Sequence, residues 1–61
     1  MTTAQAARTM QEFVEAGPSR QRQLESYARD IYREFGFDLQ NDAPSKVLSE
    51  LLHTQWNEEQ K

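Results

Sequence analysis

Leu24-Glu25-Ser26-Tyr27-Ala28-Arg29-Asp30-Ile31-Tyr32-Arg33-Glu34-Phe35-Gly36-Phe37 is the stretch whose reading decides the fold. Its apolar members Leu24, Tyr27, Ala28, Ile31, Tyr32 and Phe35 recur at three- and four-residue steps and fall within an arc of roughly 140°, the period of an amphipathic helix and not of a strand. The reading predicts a helix over residues 19–35, with Ser19 as its amino-terminal cap. Gly36 then stands where a left-handed residue closes a helix. Phe37 beyond it is placed to fold back onto Tyr32, the apolar contact of a Schellman end.

The same period extends to either side. Upstream, Thr2 followed three residues later by Gln5 has the form of a capping box, which satisfies two of the free N–H groups of a helix start. A first helix is therefore expected over residues 3–16, its stripe made of Ala6, Ala7, Met10, Phe13 and Val14. Gly17 is expected to end it in a left-handed cap, with Pro18 unable to donate a further bond. Downstream, residues 37–44 are rich in turn formers and long for a helix connection, with Phe37 and Leu39 expected to pin them to the core. A third helix is expected from Pro44 or Ser45 to Trp56 or Asn57, over about residues 45–57, with residues 58–61 as a flexible polar tail. The fold class is thus all-α, one domain of 61 residues built as a small three-helix bundle, expected to be homodimeric: an antiparallel helical hairpin, a long loop and a third helix packed across the hairpin.

The third helix carries more apolar surface than one seam uses. Val47 and Leu51 form one ridge, and Leu48, Leu52 and Trp56, at steps of four, form another beside it. A domain this small buries only about 60% of the surface its unfolded chain exposes, so part of that width is expected to meet a neighbour. Tryptophan is also enriched where an aromatic anchor fills a partner's pocket. Leu48, Leu52 and Trp56 are therefore the expected protein-binding residues, either for a homodimer or for another protein. With no cysteine and a single histidine, disulfides and most structural zinc sites are excluded as reinforcement, which leaves association.

Opposite the apolar arc of the second helix, Arg22, Arg29 and Arg33 form a basic line with Ser26 between them. Such a line suits phosphates or an acidic protein surface. It also has carboxylates at pairing distance in sequence, Glu25 before Arg29 and Asp30 before Arg33, which is how solvated helix faces are commonly laced. Seven Lys and Arg against ten Asp and Glu leave a formal charge of −3, opposite to the balance of most domains that grip nucleic acid. A DNA-binding regulator using the second helix is the alternative function. The long connection before the third helix fits a helix-turn-helix badly.

Other chemistry finds little footing. Glu50 and His53 have the Glu-x-x-His spacing of di-iron bundles but lack the further inward carboxylates of such sites. Asp38, Gln40 and Asp42 alternate oxygens without the glycine and twelfth-position glutamate of a calcium loop, so they are read as turn residues. No cysteine nucleophile and no glycine-rich phosphate loop is present. The expectation is a non-enzymatic protein, without metal or cofactor, acting as a regulator of the inhibitor, antitoxin-like or adaptor kind. Neither a leader pattern nor an apolar run near the 20 residues of a membrane span occurs, so a cytoplasmic location is expected.

Overall fold

The computed structural model describes residues 1–59 and contains three helices: α1 (Thr3–Glu15), α2 (Pro18–Phe35) and α3 (Pro44–Glu59). No strand occurs among the described residues. The capping box of α1 is present in full: the Thr2 hydroxyl accepts from the Gln5 N–H, and the Gln5 side chain accepts from the Thr2 N–H, both at 3.1 Å.

The junction between α1 and α2 departs from expectation. Helix α1 ends at Glu15, and its C-cap, Ala16, is extended, as is Gly17 (φ −71°, ψ 171°). Gly17 is the N-cap of α2 and not a left-handed terminator of α1. Pro18, not Ser19, opens α2, since a proline at the first helical position gives up an N–H that has no partner there in any case. Gly36 behaves as expected: its φ is +78°, and the N–H groups of Gly36 and Phe37 both converge on the Tyr32 carbonyl, the second at 2.8 Å. The Phe37 ring turns back and meets the Tyr32 ring edge-on, centroids 6.2 Å apart.

Helix α1 is the middle of the molecule. It packs on both α2 and α3, whereas α2 and α3 scarcely touch, so α3 lies along α1 and does not cross the hairpin. The cause is on α1 itself, whose buried residues are Ala6, Ala7 and Met10. Two alanines leave room for neighbouring helices to come close on two sides of one axis. The core joins these to Ala28, Ile31 and Tyr32 of α2 and to Val47 and Leu51 of α3, with Phe13, Phe35, Phe37 and Leu48 packed around it.

Polar contacts at the helix ends fix the directions. The Met1 ammonium meets Glu34 at 3.1 Å, and the Thr3 hydroxyl donates to Glu58 at 3.1 Å. At the other end the Gln21 amide donates to the Phe13 carbonyl at 3.2 Å, while Phe13 and Pro44 line one shallow groove. Helix α1 therefore runs antiparallel to both partners, and α2 and α3 point the same way. That is why the connection is long: the chain must be led back along α2 before α3 can start. Leu39 and Pro44 accordingly border the groove alongside Glu25, Ala28 and Arg29.

Three apolar residues that the pattern placed inward lie outside. Tyr27, at the edge of the apolar arc of α2, is 54% exposed, and Val14, in the last turn of α1, also faces solvent. Leu39, expected to pin the loop, is 60% exposed. The loop is held by Phe37 and by Tyr32, whose hydroxyl donates to the Asp42 carbonyl at 2.7 Å. Helix α3 continues to Glu59, two residues beyond the expected end, so Glu58 and Glu59 are helical and not tail. The remainder of the expected tail, residues 60–61, lies outside the described residues.

Candidate functional site

The outer ridge of α3 winds away from the core. At about 100° per residue, each step of four residues advances roughly 40° around the helix. Val47 and Leu51 face α1 and are buried. On the neighbouring ridge Leu48 still packs against the core, Leu52 is 46% exposed and Trp56 is 59% exposed. The gradient follows from helix geometry: a straight helix lying along one partner keeps a row of i, i+4 residues in contact only briefly. The structure thus places Leu48, Leu52 and Trp56 on one continuous strip whose outer two members are only partly covered by the described residues.

The arginine line is present on α2 and is partly engaged. Arg29 pairs with Glu25 at 2.7 Å, both side chains well exposed. Such a pair contributes a few tenths of a kcal/mol, about 0.3–0.5 at helix spacing. Among the described residues Asp30 makes no ion pair with Arg33, and Arg22 makes none either. Glu50 and His53 are exposed on α3, and the described residues contain no group of three or more potential ligands set to hold a metal.

Asp38 and Asp42 are turn residues with defined duties. The Asp38 carboxylate accepts from the Gln40 N–H at 2.8 Å and from the Asn41 side chain. The Asp42 carboxylate accepts from the Asp38 N–H at 2.9 Å and from the Lys46 ammonium at 3.1 Å. These backbone donors, seconded by the Asn41 amide and by Lys46 respectively, hold both carboxyls below the usual aspartate range. The hydrogen bond to Asp42 raises Lys46, and burial followed by the charge of Asp42 raises Tyr32.

The pH dependence follows from those directions. Carboxyls lowered in the folded state stabilise it fully above the unfolded value, about pH 4, and that contribution is lost as pH falls through the folded value. Lys46 and Tyr32, raised in the folded state, contribute fully below about pH 10, and that contribution is lost as pH climbs through their folded values. Thermal melts across pH are expected to show a neutral plateau with two falling limbs. Asp42→Asn keeps a carbonyl for the Asp38 N–H but removes the charge, so its acid limb should be shallower than that of the wild type. Superimposable acid limbs would show that Asp42 plays no part in the dependence.

An open depression of about 580 Å³ lies over the end of α2, lined by Tyr32, Arg33, Gly36, Phe37, Asp38, Leu39 and Gln40. Its lining brings together no nucleophile and base.

The exposed strip on α3 was legible in the sequence as excess apolar width. The exposure of Tyr27 and Leu39 was not, since periodicity reports a preferred side and not whether anything occupies it. No protein-family model, curated protein sequence or solved structure matches this chain.

Proposed function

We propose that this chain is a small, non-enzymatic protein-binding regulator, of the inhibitor, antitoxin-like or adaptor kind, that presents the Leu48, Leu52 and Trp56 strip of α3 to another polypeptide. One observation carries the reading. On a helix whose inward face is already filled by Val47 and Leu51, a leucine and the only tryptophan stand 46% and 59% exposed on consecutive turns. Single exposed apolar residues are ordinary, but aligned ones with an indole among them are the pattern of a helix that docks into a groove. A strip of this kind is also where a homodimer forms, with free copies covering one another.

The test is capture from cell lysate with tagged wild type and Trp56→Ala, each with and without nuclease. A partner retained by wild type and lost by the variant, and indifferent to nuclease, is the expected result. Because the indole is largely exposed, Trp56→Ala should melt within about 0.5–1 kcal/mol of wild type, so that lost capture does not reflect lost folding. A partner released by nuclease and unaffected by the substitution would transfer the function to the arginine line of α2.

A further inference from the structure

We infer that the flank of α2 bordered by the arginine line is a second docking surface, distinct from the α3 strip, and that its partner is an acidic amphipathic helix with two carboxylates three turns apart and apolar side chains between them.

Three depressions adjoin along that flank. One of about 340 Å³ lies beside Phe13, Pro18 and Arg22, a second of about 160 Å³ beside Phe13, Arg29, Leu39 and Pro44, and the third is the depression of about 580 Å³ over the end of α2. Phe13 and Glu25 line both of the first two, and Tyr32 and Leu39 line both of the last two, so together they make one furrow from Pro18 to Gly36. At a rise of about 1.5 Å per residue that is roughly 27 Å of helix. The middle of the furrow is apolar, lined by Phe13, Ala28, Tyr32 and Pro44, and Leu39 stands beside it 60% exposed. The loop that carries Leu39 is tied down: the Tyr32 hydroxyl donates to the Asp42 carbonyl, the Asp38 N–H to the Asp42 carboxylate and the Gln40 N–H to the Asp38 carboxylate. A leucine held in the open by an already ordered loop gains burial from a partner at little further cost in chain freedom.

Charge selects the occupant. Each depression is lined by one arginine of the line, Arg22, Arg29 or Arg33. The two carboxylates of the furrow are already engaged, Glu25 by Arg29 at 2.7 Å and Asp38 by the Gln40 N–H at 2.8 Å. Arg22 and Arg33 form no ion pair among the described residues. The furrow is therefore neutral and apolar in its middle and cationic towards both ends, on a chain whose formal charge is −3. Arg22 and Arg33 stand eleven residues apart, about 16 Å along the axis and about 20° around it. A helix laid along α2 repeats that spacing, so carboxylates eleven positions apart reach both guanidinium groups while the side chains between them cover Ala28, Tyr32 and Leu39. A nucleic acid strand, charged at about every 3.4 Å of its axis, would set phosphates against Glu25 and Asp38 and leave the apolar middle uncovered.

The probe is a sixteen-residue peptide of alanine and glutamine with glutamates at its third and fourteenth positions and leucines at its seventh and tenth, all four on one helix face. Its controls are the same peptide with lysines for the glutamates, and a DNA duplex. In titrations at low salt, wild type should bind the glutamate peptide at least about tenfold more tightly than the lysine peptide. Arg22→Glu combined with Arg33→Glu should reverse that preference; both side chains are exposed, and a gain of lysine-peptide binding cannot come from misfolding. Leu39→Ser lies outside the core cluster, so it should melt like wild type yet bind the glutamate peptide about threefold or more weakly. Trp56→Ala should bind the peptide as wild type does, which keeps this result separate from the fate of the α3 strip. Equal affinity for the two peptides, saturable binding of neither, or glutamate-peptide binding that needs Trp56 and not Leu39 would each overturn the inference. So would a duplex bound more tightly than the peptide, weakened by the arginine reversals and indifferent to Leu39→Ser, which would make the furrow a nucleic-acid surface.

Discussion

Leu51→Ala is expected to unfold the domain, while Leu52→Ala, one residue further on, leaves it folded. Leu51 is 2% exposed and belongs to the cluster that joins α3 to α1. Truncating a fully buried leucine costs about 2–5 kcal/mol, from lost burial and from the cavity left behind. A core this small supplies about 3–5 kcal/mol in all, so the loss is comparable to the whole stability. Leu52, 46% exposed, gives up about half its surface to water already, and its removal opens no enclosed cavity. Circular dichroism at 25 °C reads the contrast: little helical signal and no cooperative melt for Leu51→Ala, near wild-type helicity for Leu52→Ala. Equal effects from the two would mean that α3 does not sit on α1 through the Val47 and Leu51 ridge.

Ala6→Leu is expected to be nearly as damaging, by overfilling and not by emptying. Ala6 is 0% exposed, on the helix that lies between the other two. Extra carbon atoms in a filled interior cost about 1–3 kcal/mol by forcing side chains and backbone apart. Here the displaced element is a whole helix, held along one flank only, so the upper end of that range is expected. For a domain of about this length each kcal/mol lowers the melting temperature by roughly 4–8 °C. A fall of at least 10 °C in a thermal melt is the expected outcome. An unchanged or raised melting temperature would mean that α1 does not need its small residues, and that its central place has another cause.

Much of this molecule is local chemistry. The Thr2 and Gln5 capping box, the left-handed Gly36 with Phe37 folded onto Tyr32, and the start of α3 at Pro44 each depend on residues within a few positions of one another, so the order of residues is enough to read them. Where local signals competed, reading failed. Gly17 next to Pro18 suits a helix end or a helix start, and the extended conformation it takes is open to any residue. Ser19 is a good cap, but the proline before it already fits the first helical turn. At the end of α3 the polar residues Glu58 and Glu59 look like a tail, yet Thr3 of the central helix holds Glu58 in place.

The candidate strip divides along the same line. That α3 has two apolar ridges is a property of residues 47–56 and needs no coordinates. Which ridge is covered is not: it depends on α3 finding one neighbour where a bundle would offer two. Sequence by itself determined the three helices, their apolar sides and the absence of thiol chemistry. Only the tertiary structure decided that α1 stands in the middle, that α2 and α3 barely meet, and that Leu52 and Trp56 are left to solvent. The reason is that a helix's own residues set its period and its ends through contacts a turn apart, whereas burial is a relation between surfaces distant in the chain, settled here by two alanines that let both neighbours approach the same helix.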